Sequence, residues 1–167
     1  ASHPTERLDA WSSAETWFRE GLGRAPHDAE MLMEGAMLRE RFGDASAAED
    51  LYRRAADLRP DLPSARLGLA RSLMARGEAA EAGIEMERAA AAAGSETLVR
   101  LAREAAAKAL AGPSARLALV LALAVTGDRA GASATLAAVE AARSSPAMAA
   151  PVRAWLEGLP AGPPAAP

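Results

Sequence analysis

The chain has 167 residues, half of them apolar and 4% aromatic, which suits one all-helical domain with an interior packed on Ala and Leu. Its formal net charge of -3 supplies no basic field, so neither nucleic acid nor an anionic membrane surface is expected as a partner. Cysteine is absent, which excludes disulfides, thiolate nucleophiles and Cys-ligated zinc or iron-sulfur sites.

Taken in order, residues 1–10 hold a Pro and mixed charge and read as a loose start or a short helical lead. A helix is predicted from about Ser12 to Leu22, forming a partial repeat over residues 11–26. The plainest unit is Ala29 to Pro60. Leu32, Ala36 and Leu38 recur at helical spacing before Gly43-Asp44, and Ala48, Leu51, Tyr52 and Ala55 do so after it. Gly43 can end the first helix in a left-handed conformation, Asp44 or Ser46 can cap the second, and Pro60 stops it. Neither helix can bury its apolar stripe alone, so such a hairpin must pack on others like it.

The same spacing recurs 34 residues earlier at Ala14, Phe18, Gly21 and Pro26, and 34 residues later at Ala82, Met86 and Ala89. Residues 63–94 thus form a second full unit, with Gly77-Glu78 at its turn. A third is due near residue 97 and does not arrive on time. Thr97 to Ala111 reads as a helix, and PSARL then appears at Pro113, 50 residues after its first occurrence at Pro63. From there Gly127-Asp128, Ala132, Leu136 and Val139 restore the register over residues 113–143. The simplest reading is one inserted helix, 97–111, between repeats; the alternative pairs it with Pro113 to Thr126 as a hairpin. A capping helix is expected over 147–159, and the Pro-rich residues 160–167 as a disordered or extended tail.

These residues resemble the tetratricopeptide repeat, whose unit carries W-x2-L-G-x2-Y, A-x3-F and P positions. Ala48, Tyr52, Ala55 and Pro60 match the second-helix positions. In the first helix Leu32 stands for Trp, Gly35-Ala36 for Leu-Gly and Arg39 for Tyr. The resemblance implies an all-α solenoid of antiparallel helix pairs whose first helices line a concave groove for an extended or helical peptide. The groove slots would be Glu30, Met33, Met37 and Arg41, then Ser64, Leu67, Arg71 and Met74, then Ser114, Leu117 and Leu121. Met33, Met37, Leu67, Arg71, Met74, Leu117 and Leu121 are the expected contacts of an apolar or helical protein segment, since Met adapts well to such partners. Two other readings stay open: the chain's own inserted or C-terminal helix fills part of that groove, or some of the Met residues are simply core. Met33 and Met37 occupy places that carry Lys and Asn in the family's carboxylate-binding variant, so that clamp is not expected.

Trp11, Trp17 and Trp155 lie near the two ends. They serve either as terminal packing over the Ala-rich stack or, if exposed, as docking anchors, a role in which Trp is enriched. Catalysis is hard to build. His3 and His27 have no ligands at a matching spacing, and Ser12-Ser13 and Ser144-Ser145 read as helix-boundary residues. No cofactor or metal is expected, and the pair Glu49 and Arg53 reads as a solvated face. The longest apolar run, Leu117 to Val125, covers nine residues, against about 20 needed to span a bilayer. The expectation is a soluble, bacterial-type scaffold or assembly subunit, cytoplasmic or periplasmic, its signal peptide absent or already removed. A structural subunit using its Trp-bearing or convex faces, and a docking domain of a larger enzyme, are the alternatives.

Overall fold

A computed structural model describes residues 4–24, 27–108, 112–142 and 145–160, with side chains from Ser12 onward. The expected Pro26 stop, His3, Ser144, the end of the inserted helix, the side chain of Trp11 and most of the C-terminal tail lie outside the described residues. The protein is an all-α helical repeat. Among the described residues there are nine helices and no strands: α1 (Pro4–Arg24), α2 (Ala29–Phe42), α3 (Ala45–Leu58), α4 (Pro63–Ala75), α5 (Ala79–Ala93), α6 (Ser95–Ala107), α7 (Pro113–Val125), α8 (Arg129–Ala141) and α9 (Pro146–Gly158).

Three hairpins carry the repeat, and their turns follow the expected chemistry. Gly43, Gly77 and Gly127 all adopt positive φ, at 88°, 82° and 94°, where a Cβ would clash with the following carbonyl. They join α2 to α3, α4 to α5 and α7 to α8. Asp44 caps α3 by accepting the Ala47 N–H at 3.1 Å, and Asp128 caps α8 through the Gly131 N–H at 2.8 Å. Glu78 stands at the matching place before α5 without a side-chain capping bond; it pairs with Arg76 at 2.6 Å instead. Asp28 does the same capping work for α2, accepting from Glu30 and Met31.

Where the sequence suggests one domain, the chain forms two compact units, Ala1–Pro60 and Asp61–Pro167. The division falls in the Arg59 to Leu62 turn, where Pro60 cannot continue a helix.

In the first unit α1 lies against α2, and α2 pairs with α3. The helix α1 begins at Pro4, well before the expected Ser12. Pro is tolerated in the first helical turn because its missing N–H has no intrahelical acceptor there, and nothing after it breaks the helix. Ser12 and Ser13 therefore sit inside α1 rather than at a boundary. The Phe18 ring closes the α1–α2 contact by lying on Gly35: a Cβ there would sit 2.0 Å from the ring. Arg39 adds a 2.7 Å ion pair to Glu15, and Tyr52 donates to Glu40 at 2.9 Å between α3 and α2.

In the second unit α7 is central. It packs against α4, α5, α6, α8 and α9. Its sequence allows this, because Ala115, Leu117, Ala118, Val120, Leu121, Ala122, Leu123 and Ala124 are all buried, and a helix apolar nearly all round is stable only when enclosed. The inserted helix α6 starts directly after Gly94, which has φ 85°, and buries Leu98 and Ala102. It runs along α7 and also touches α5 and, more lightly, α4. On the other flank α9 touches α5, α7 and α8, with the Trp155 ring on Gly83. The helix α7 forms its glycine-turned hairpin with α8 and also makes a long contact with α6.

Candidate functional site

The interaction surface foreseen in the sequence is divided by burial. Leu67, Met74, Leu117 and Leu121 are core residues, Met74, Leu117 and Leu121 having no exposed surface at all. They offer nothing to a partner, which corrects their assignment as groove contacts. The physical reason lies in the chain's own packing: α4 and α7 touch each other, and α7 is enclosed by α5, α6, α8 and α9 as well. Met74 is thus one of the Met residues that are simply core. Met86 is also fully buried. Arg71 is half-buried.

The first unit differs. Met33 is half-buried and Met37 is 36% exposed, one helical turn apart on α2. Glu30, Glu34 and Arg41 are exposed on the same helix. The result is a short apolar step with acidic groups toward the α2 N-terminus and a base toward its C-terminus. Thioether side chains there can repack around an apolar helix at small conformational cost.

The three tryptophans separate likewise. Trp155 is half-buried against α5, as a packing element. Trp17 is 58% exposed on α1 although its neighbour Phe18 is buried. The described residues also expose Leu58 and Ile84, each alone on its helix; scattered apolar residues of this kind are ordinary.

Charged side chains mostly serve the fold. Glu49 accepts from Arg53 at 2.7 Å, but it is buried rather than on a solvated face, because α3 turns it inward beside Ala48. Glu85 is buried too and takes Arg66 at 2.8 Å and Arg88 at 2.5 Å. Such a carboxylate needs both partners to offset its lost hydration. A shallow cleft between α8 and α9 is lined by Leu136, Glu140, Arg153 and Leu156, and Arg153 pairs with Glu140 across it. His27 is exposed in the turn before α2. Among the described residues no three His, Cys, Asp or Glu side chains converge as metal ligands would, and no helix is long and apolar enough to cross a membrane.

The chain matches no protein-family model and no curated protein.

Sequence reasoning did not single out the Arg66–Glu85–Arg88 cluster or the seating of aromatic rings on glycines. The first had a signal, since Arg66 and Glu85 are 19 residues apart, as are Leu32 and Leu51 in the preceding hairpin. The second had none, as a helical glycine looks the same in sequence whether or not a ring lies on it.

Proposed function

We propose that this protein is a non-catalytic interaction module of the tetratricopeptide type, a scaffold or assembly subunit that holds an apolar or helical segment of a protein partner. The observation that carries the reading is the contrast between repeats. On α2 Met37 is exposed and Met33 half-buried, whereas their equivalents Leu67, Leu117 and Leu121 on α4 and α7 are buried and Arg71 is half-buried. The partner face is therefore Met33 and Met37 with Glu30 and Arg41 at its ends, and not the longer groove first expected.

The test compares what wild-type protein and a Met37→Glu variant retain from a lysate of the source cells. Met37 lies on the surface, so the substitution should leave helicity unchanged while removing the retained protein. Equal retention by both forms rules out the Met face as the docking site. A second reading, in which a Trp-bearing face serves assembly, is favoured by one observation: the exposure of Trp17.

A further inference from the structure

The helix α9 is weakly fixed to the second unit. Ala149 and Val152 are its buried residues, and Trp155 and Leu156 are half-buried. Its ends are bare: Ser145 at the N-cap makes no side-chain capping bond, no acid stands in the first turn and no base in the last. Pro151 stands inside the helix. It has no N–H to offer the Ala147 carbonyl four residues back, so the turns on either side of it are joined by one hydrogen bond fewer. Packing toward α8 is incomplete, because Ser133, Leu136, Glu140, Arg153 and Leu156 line a cleft between the two helices.

The bed beneath α9 is nevertheless shaped for it. The helix lies on α5, α7 and α8, and the Trp155 ring rests on Gly83 so closely that a Cβ there would come within 2.6 Å of Cζ2. By the 34-residue step Gly83 corresponds to Glu49, and by the 50-residue step to Ser133. Glu49 is buried and pairs with Arg53. A side chain of that size at position 83 would fill the place of the indole, so glycine departs from the repeat at the point where the ring sits. A shaped seat under a weakly fixed helix is the arrangement of a strap. Its release frees the bed, while α7 stays enclosed by α4, α5, α6 and α8.

We propose that α9 is a releasable strap: it leaves as a unit while α4 to α8 stay folded, and the bed it uncovers accepts in its place an α-helix that sets a tryptophan on Gly83. The chemistry of that occupant is given by α9 itself, which turns Ala149, Val152 and Leu156 to one side at helical spacing and adds the Trp155 ring. The bed belongs to the second unit, and its release does not depend on the Met33 and Met37 face of the first.

Hydrogen exchange of the full wild-type chain in increasing urea tests the release. Relative to their intrinsic rates, amides of residues 152–158 should exchange about 100-fold faster than the slowest of α7, with little dependence on urea. Equal protection and equal urea dependence in α7 and α9 would mean that α9 opens only with the whole unit, and overturns the proposal. A synthetic peptide of sequence 145–160 tests the bed. It is titrated into the full chain carrying Trp155→Ala and labelled with nitrogen-15, and the Gly83 amide is followed. A saturable shift is expected, with binding about tenfold weaker for a peptide that itself carries Trp155→Ala. Binding of the native peptide to the wild-type chain, whose own α9 competes, should also be about tenfold weaker. Absence of a shift at Gly83, equal affinity of the two peptides, or equal affinity of the two chains overturns the proposal. Met37→Glu added to the Trp155→Ala chain should leave peptide binding unchanged, which separates this bed from the Met face; loss of binding there would place the peptide on the first unit and likewise overturns it.

Discussion

Adding one methyl group at Gly35 should destabilise the first unit, and Phe18 should be the reason. A Cβ at position 35 would lie 2.0 Å from Phe18 Cε2, 2.2 Å from Cζ and 2.7 Å from Cδ2. Ordinary carbon contacts begin near 3.5 Å, so the ring must withdraw by roughly 1.5 Å. Overpacking of this kind costs about 1–3 kcal/mol, and the better helix propensity of Ala returns about 1 kcal/mol. Gly35→Ala should therefore cost up to about 2 kcal/mol net. Removing the ring with Phe18→Ala costs about 3–5 kcal/mol by itself. In that background the methyl meets no ring, and Gly35→Ala should become stabilising by up to about 1 kcal/mol. The coupling between the two sites is then about 1–3 kcal/mol, the overpacking term itself. Native-state hydrogen exchange of the slowest α2 amides measures it, because it reports the stability of this unit rather than of the whole chain. A Gly35→Ala cost that is the same with and without Phe18 would refute the ring-on-glycine packing.

The same device predicts that Gly83→Ala loosens α9, read as faster proteolysis near Trp155, and that it does so less in a Trp155→Ala chain. Asp128→Ala removes the cap of α8 and should lower stability by about 1 kcal/mol, measured by urea unfolding. Glu78→Ala has no side-chain cap to lose and should cost less than Asp128→Ala in the same assay. Arg66→Met should cost about 3 kcal/mol by leaving Glu85 short of a partner in its buried site, and Arg66→Met with Glu85→Leu should recover most of that loss.

Much of the helical plan is legible because it is written in local chemistry. The 34-residue and 50-residue steps between Gly43, Gly77 and Gly127 mark three turns at which the backbone is left-handed, and Asp44 and Asp128 cap the helices that follow. The start of α1 is less legible, because a Pro in the first turn and a Pro in a loose lead read alike. Assignment of faces is harder still. Leu117 and Leu121 lie at groove spacing, yet α7 is apolar on nearly every side, so periodicity could not tell its inner face from its core. Their burial depends on how α7 packs among its neighbouring helices, a long-range fact that no local pattern carries. Met33 and Met37 keep accessible surface, while Met74 is fully buried.

Docking at the Met33 and Met37 face requires that these methionines, unlike Met74, be reachable from solvent, and this needs no partner to measure. A soluble paramagnetic chelate added to protein labelled at the methionine methyl groups broadens each signal according to its exposure. The structure predicts the strongest broadening at Met37, smaller effects at Met31, Met33 and Met148, and protection of Met74 and Met86. Met74 broadened as strongly as Met37 would show that α4 is open in the second unit, and would contradict the assignment of the docking face to the first.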